Sequence, residues 1–330
     1  MSPKKMTAVE IVSPGPPDVL VPRQIARPIA HPNEVLIKIG AAGVNRPDIL
    51  QRLGLYPVPK GASPLPGLEV AGTIEQVGIN VSRFKPGEKV VALTNGGGYA
   101  EFVSVPAGQV LPLPDNWSMI EGAALPETLF TVQQTLIDRA GLKKGQMVLV
   151  HGGASGIGGT AIQLARLKGA IPFVTVSSGK KADYATSLGA KASINYLTED
   201  FVARIKELTA GAGVEIILDI VGGDYLDRNL KAIAIEGTII QLAMIAGNQA
   251  SINLALLLAR RANLFGSTLR PQPDQIKAQI ADHLYQQVWP ALKSGDFKKP
   301  RIITFELANA KDAHKAMLSP DHFGKIVLTV

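Results

Sequence analysis

The sequence contains no cysteine, and that absence excludes several chemistries together. Disulfides, thiolate-ligated zinc, iron–sulfur clusters and a cysteine nucleophile all need the missing thiol. Aromatic residues make up only 5% of the chain, so there is little on which nucleic-acid bases could stack. The net charge is +7, yet no block of five or six like charges occurs. Such a balance fits a phosphate-rich ligand and a lysine-rich exterior, and nucleic acid is not expected as a main partner. The longest purely apolar run, near Leu254–Ala259, is far too short to span a bilayer, and no membrane partner is expected. No apolar segment follows the charged start Met1-Ser2-Pro3-Lys4-Lys5-Met6, so no signal peptide is read and a cytoplasmic location is expected.

What is present is a globular composition. Hydrophobic residues make up 46% and charged residues 18% of 330 positions, enough for two domains or one large one. The 33 glycines and 23 prolines predict many turns. Up to about Pro126 the pattern is short strands between turns. Val35 to Ile39, Val70 to Gly78, Lys89 to Ala92 and Tyr99 to Val105 predict a small, partly barrel-like β domain. Beyond Pro126 strands alternate with helices. Val148-Leu149-Val150, Phe173 to Val176, Glu215 to Asp219 and Thr238 to Leu242 predict a parallel sheet. Helices are expected over Thr160–Lys168, Lys181–Leu188 and Phe201–Thr209, then over Gln275–Leu292 and Ala310–Met317. The tail, with Arg301-Ile302-Ile303 and Ile326-Val327-Leu328, is expected to rejoin the first domain and make it discontinuous.

The strand Val148–Val150 runs into His151-Gly152-Gly153-Ala154-Ser155-Gly156-Ile157-Gly158-Gly159 and then a helix. Strand, glycine turn and helix within a repeated β-α pattern is the context a dinucleotide fingerprint needs. Glycine makes the turn, a small residue lets pyrophosphate approach, and the helix N-terminus offers unpaired N–H groups. Ser155 stands where the second glycine usually falls. The alternative reading is a glycine-rich loop that binds nothing. At the end of the second strand, where a carboxylate would select the ribose hydroxyls of NAD, the chain offers Ser177-Ser178-Gly179-Lys180-Lys181. Hydroxyls and ammonium groups suit a 2′-phosphate, so NADPH is expected rather than NADH. The alternative is a solvated helix start. The same glycines also satisfy the motif of short-chain dehydrogenases, but they lie mid-chain behind a β domain, whereas short-chain enzymes open with them. The one tyrosine with a lysine four positions on, Tyr56 with Lys60, stands before the motif and has Pro57 and Pro59 between. No such Tyr-x-x-x-Lys pair follows the glycine turn, where that chemistry needs it.

Taken together, Gly67-Leu68-Glu69-Val70-Ala71-Gly72, Phe84-Lys85-Pro86-Gly87-Glu88-Lys89-Val90, the glycine turn with its strand, and Gly324-Lys325-Ile326-Val327-Leu328 resemble medium-chain dehydrogenase/reductases. Gly43-Val44-Asn45-Arg46-Pro47-Asp48, Gly54-Leu55-Tyr56-Pro57 and Asn195-Tyr196 narrow the resemblance to quinone oxidoreductases of the zeta-crystallin and p53-inducible type. The resemblance implies a doubly wound Rossmann α/β domain, about 127–267, inserted in a GroES-like catalytic domain, about 1–126 and 268–330. The cleft between them would hold NADPH.

By that resemblance the catalytic zinc has lost its ligands. Asn45 stands at the cysteine position and Leu68 at the histidine, and Glu69 alone is too few for a metal that takes three protein ligands. No metal site is expected. The five histidines, His31, His151, His283, His314 and His322, show no ligand spacing and are expected at the surface or in packing.

Without a metal, hydrogen-bond donors would have to stabilise the charge that develops on a quinone carbonyl. Asn45 and Tyr56 match the residues that line the quinone site in the family. The alternatives are a turn-stabilising Asn and a loop aromatic. Leu50 stands where bacterial relatives often have a second tyrosine, so ring stacking from that position is lost.

The resemblance further implies that Ser155, Gly156, Ile157 and Gly158, with Gly153 and Ala154, cradle the pyrophosphate. Lys181 and Tyr196, with Ser177 and Ser178, would hold the 2′-phosphate, although Tyr196 could equally be a strand-end aromatic. Thr131 would lie near the nicotinamide. The loops Gln241 to Ile245, with Met244, and Ser267 to Arg270, with Leu269, would line the cofactor cleft. The implied activity is zinc-independent, NADPH-dependent reduction of a quinone or conjugated carbonyl by a homodimer. The alternatives are an enone or 2-alkenal C=C reductase and a crystallin-like cofactor-binding protein without turnover.

Overall fold

A computed structural model describes residues 4–330, and the chain divides into two compact units. One comprises the residues up to Phe130 together with Arg270–Val330, and the other is Thr131–Leu269.

In the second unit six parallel strands lie in the order Ala192–Asn195, Ile171–Val176, Met147–His151, Val214–Asp219, Ile233–Gln241, Asn263–Gly266. The chain winds outward from Met147–His151 on one side and from Val214–Asp219 on the other. The order therefore reverses between those two strands, and ligands of such sheets bind beyond the strand ends at that switch point. Val148, Leu149, Val150, Ile217 and Leu218 are fully buried, as strands covered on both faces must be. Truncating Leu149 to Ala would remove about 2–5 kcal/mol of stability.

The helix Gly156–Leu167 starts earlier than its apolar spacing predicts, because Ser155 caps it by accepting a hydrogen bond from the Gly158 N–H. Gly179–Leu188 is capped by Ser178 and ends at Gly189, whose φ of 108° lies in the left-handed region where glycine is unstrained.

The first unit is built on a seven-stranded sheet. Its path is Ile302–Glu306, Lys325–Thr329, Glu34–Val44, Glu69–Val77, Lys89–Leu93, Val110–Pro112, with Phe102–Pro106 also paired to Glu34–Val44. The strand Lys325–Thr329 lies antiparallel to Glu34–Val44, with Ile326 opposite Val44. The C-terminal segment thus completes this unit and brings Lys325 next to Asn45. A separate hairpin pairs Lys5–Ile11 with Leu20–Ala26.

Two helical expectations need correction. Arg46–Arg52 is a helix where the pattern predicts only turns and strands. The signal is in the sequence. Asn45 and Asp48 have capping-box spacing, with Pro47 in the first turn. The predicted helix Gln275–Leu292 is two helices, Asp274–Gln287 and Trp289–Ser294, and Pro290 stands in the first turn of the second. A proline ring cannot continue the first helix, because it lacks the N–H and clashes with the preceding turn. Among the described residues no helix is long and apolar enough to cross a membrane.

Candidate functional site

Asn45 sits at the junction of the strand Glu34–Val44 and the helix Arg46–Arg52 and is 8% exposed. Its backbone caps the helix, with its N–H donating to Asp48 Oδ2 at 2.8 Å. Its side chain is used elsewhere. Nδ2 donates to Glu69 Oε1 at 2.8 Å, and Oδ1 accepts from Lys325 Nζ at 2.7 Å. Lys325 Nζ also donates to Glu69 Oε1 at 2.5 Å, which closes a buried triangle. The other Glu69 oxygen accepts the Glu127 N–H at 2.9 Å. Lysine can only donate, so Oδ1 of Asn45 must face Lys325 and the amide has one possible orientation. One of its two Nδ2 hydrogens goes to Glu69 and the second is left to donate. Gly43 makes room for this arrangement, since a Cβ there would stand 2.0 Å from Glu69 Oε1.

The surrounding carboxyls feel their burial. Burial pushes Asp48 up to about 6, although the backbone N–H groups of Gly67 and Asn45 pull the other way. Burial and the neighbouring Glu69 push Glu127 up to about 8, so that group keeps its proton at neutral pH. Tyr56 is half-buried. Burial, then Glu127, raises its hydroxyl to about 12, which keeps it a donor.

Arg270 belongs to this first unit and is nearly buried. Its Nη1 donates to Gln51 Oε1 at 2.7 Å, its Nε and Nη2 donate to the Asn95 carbonyl at 3.1 and 2.8 Å, and its Cζ lies 5.6 Å from the centre of the Tyr56 ring. The guanidinium that the resemblance assigns to a cofactor loop is committed to these partners.

In the second unit Gly152 makes the turn at φ 73°, and Gly153 lies against Val174, where a Cβ would have no room. Ala154 is buried, whereas Ser155, Gly156 and Ile157 at the helix start are half-buried. Ser155 takes the N–H of Gly158 with its hydroxyl and that of Gly159 with its carbonyl. The first-turn N–H groups of Gly156 and Ile157 remain as the donors a helix start offers an anion.

Beyond the end of the neighbouring strand, Lys181 Nζ donates to Ser177 Oγ at 3.0 Å and its N–H to Ser178 Oγ at 3.4 Å. Tyr196 joins them at the strand end through its N–H to the Val176 carbonyl, and its side chain is exposed. The structure thus brings Ser177, Ser178, Lys181 and Tyr196 to one end of two adjacent strands.

Of the remaining expected positions, Ser267 and Gln241 meet at the ends of adjacent strands, the Ser267 N–H donating to the Gln241 carbonyl at 3.1 Å. Thr131 is buried, and its carbonyl accepts from Thr135 Oγ1 at 2.7 Å. Gln241 Nε2 donates to the Ala243 carbonyl at 2.6 Å. Met244 is exposed, Leu269 is buried, and Ser267 is buried with its hydroxyl unpaired. Sequence reasoning misses Lys325 and Glu127 as site residues. A lysine 280 positions from Asn45 gives no local signal, and Glu127 looks like an ordinary first-turn acid.

Known proteins share this fold. The family model for the alcohol dehydrogenase GroES-like domain matches residues 31–115, and that for the zinc-binding dehydrogenase matches residues 156–284. The quinone oxidoreductase of Homo sapiens is 31% identical over 334 residues, covering 98% of each chain. A phenolphthiocerol/phthiocerol polyketide synthase of Mycobacterium tuberculosis is 29% identical over 98% of this chain, but the chain spans only 15% of that much longer protein. The Escherichia coli quinone oxidoreductase complexed with NADPH superposes with a TM-score of 0.85 at 28% identity, covering 99% of each chain. The CurK enoyl reductase gives 0.86 at 28%, again over 99% of each chain. The class is therefore an oxidoreductase on a dehydrogenase fold. The chain belongs to the quinone oxidoreductase family of the medium-chain dehydrogenase/reductases.

Proposed function

We propose that the protein is an NADPH-dependent, zinc-independent reductase of quinones or related conjugated carbonyls. The unit Thr131–Leu269 would act as the cofactor domain and the other unit as the catalytic domain. The observation that carries the reading is the Ser177–Lys181 pair beside Tyr196, at a strand end that offers no carboxylate to a ribose. A 2′-phosphate there meets hydroxyls and an ammonium group, which can bind it by charge-assisted hydrogen bonds. The first-turn N–H groups of Gly156 and Ile157 would receive the pyrophosphate. NADPH, when bound, supplies the hydride.

The residues of the first unit would do the rest. The second amide hydrogen of Asn45, aimed by Glu69 and Lys325, and the hydroxyl of Tyr56 are the donors for a carbonyl oxygen gaining negative charge. Zinc does not fit this set. Among the described residues no group of three or more potential ligands could hold a metal, and Lys325 already presents a cation to Glu69. A second copy of the chain is the proposed partner. The sheet of the second unit ends in the short strand Asn263–Gly266, with Leu264 exposed and Leu258 exposed on the adjacent helix Leu254–Arg260.

The second reading, reduction of a conjugated C=C bond, is supported by the likeness to an enoyl reductase. A panel of 1,2- and 1,4-quinones and short enals, each with NADPH and with NADH, separates the two. Turnover of quinones with NADPH is the expected result. Turnover of enals with no quinone activity favours the second reading, and binding of NADPH with no turnover of any acceptor rejects both.

A further inference from the structure

His151, the last residue of the strand Met147–His151, is fully buried immediately before the glycine turn. Its Nε2 lies 2.8 Å from Asn229 Oδ1 and its Nδ1 lies 3.1 Å from Thr175 Oγ1. Asn229, also fully buried, donates from Nδ2 to Asp219 Oδ2 at 2.8 Å. Asp219 Oδ1 accepts the N–H groups of Val221 at 2.5 Å and Gly222 at 3.1 Å, in the turn after the strand Val214–Asp219. At the opposite end Thr175 Oγ1 accepts the Gly152 N–H at 3.2 Å, and the Thr175 carbonyl accepts the Gly153 N–H at 2.9 Å.

The direction of every bond in this line is fixed by its ends. Because Asn229 gives its amide hydrogen to Asp219, its oxygen faces His151, so Nε2 carries the imidazole proton. Nδ1 is then an acceptor and Thr175 donates to it, while a lone pair on Thr175 Oγ1 takes the Gly152 N–H. Phe201 and Tyr225 hold the imidazole edge to face, with ring centres 4.8 and 4.9 Å away. Burial lowers the His151 pKa, which keeps the ring neutral and the pattern constant. The two turns also touch directly. A Cβ on Gly152 would stand 2.6 Å from Ile220 Cδ1.

We propose that Thr175, His151, Asn229 and Asp219 are positioning residues that lock the glycine turn and the turn at residues 220–223 into one anvil for the pyrophosphate half of NADPH. The line runs through the ends of the two strands that flank the switch point, where such a ligand lies, and of the strand Ile171–Val176 beside them. None of the four would touch the cofactor. Their effect passes through the backbone N–H groups they hold in place. The proposal rests on the reading of the second unit as the NADPH domain.

The test compares Thr175→Val, Asn229→Leu and Thr175→Ser with the parent protein, by equilibrium titration with NADPH and with adenosine 2′-monophosphate. The second probe carries the phosphate assigned to Ser177 and Lys181 but no pyrophosphate. Thr175→Val and Asn229→Leu should weaken NADPH about tenfold or more while leaving adenosine 2′-monophosphate within about twofold. Thr175→Ser, which keeps the hydroxyl, should return to within about twofold of the parent. Equal loss of both ligands together with lowered thermal stability in all three variants would mean a merely structural network and overturn the proposal. Undiminished NADPH affinity in Thr175→Val would do the same. A parent protein that binds neither probe defeats the cofactor reading itself, and is told apart because the failure precedes any substitution.

Discussion

Behind the glycine turn of the unit Thr131–Leu269, the buried polar groups are neutral donors and acceptors in a line ended by one carboxylate, Asp219. In the other unit they are mostly ionisable. Asp48, Glu69, Glu127, Lys325 and Arg270 are clustered, and burial displaces several of their proton affinities. The neutral line needs little to compensate its desolvation, because every partner is satisfied. The charged cluster is held by mutual pairing, so removing one member strands another. The first arrangement suits a surface that must hold still. The second suits a site where charge on a substrate oxygen must be met.

The contrast can be broken most severely at Lys325. Lys325→Met leaves Glu69 buried without its cation and should lower stability by about 3–5 kcal/mol, measured by urea unfolding. Adding Glu69→Gln should restore part of that loss. A single variant as stable as the parent would mean that the triangle contributes nothing.

Asn45→Ala removes the proposed oxyanion donor. It should reduce quinone turnover by about 10²–10³-fold with NADPH affinity unchanged, as read by steady-state kinetics beside a binding titration. A matching loss of NADPH affinity would place Asn45 outside the role given to it.

On the cofactor side, Lys181→Ala should lower the preference for NADPH over NADH by about tenfold, through the binding of NADPH. Retention of the full preference would remove Lys181 from the 2′-phosphate site.

The last effect appears only as a dependence on pH and concerns Glu127. Burial raises its carboxyl from an ordinary 4.5 to about 8, so between these values the folded chain holds a proton that the unfolded chain has lost. Its contribution to stability is complete below about pH 4.5 and is gone once the pH has risen through about 8. Glu127→Gln should match the parent below about pH 4.5 and gain on it steadily as the pH rises to about 8, measured by urea unfolding. A constant difference across that range would contradict the displaced affinity.

Much of the fold was legible because its signals are local. The apolar runs Val148–Val150 and Phe173–Val176 lie in strands, and the helix Ala310–Met317 has the predicted limits. Gly189 ends its helix as its conformational freedom suggests. The helix Arg46–Arg52 escapes such reasoning although Asn45, Pro47 and Asp48 spell its start, because a strand pattern in the flanking sequence outweighs a seven-residue element.

The site was legible in part. Ser177, Ser178 and Lys181 are neighbours in the chain and in space. Lys325 with Asn45, and His151 with Asn229, meet only through the sheet, and no spacing in the sequence encodes such contacts. His151 and His314 illustrate the limit. A single sequence offers no sign that one pairs with Thr175 and Asn229 and the other with Tyr99.

The most direct test titrates the metal-chelated protein with NADPH and with NADH, and then adds a quinone. The predicted result is tight, saturable binding of NADPH, at least tenfold weaker binding of NADH (about 1.4 kcal/mol), and undiminished turnover after chelation. Absence of affinity for either coenzyme, or turnover that returns only when a transition metal is restored, would contradict the central claim.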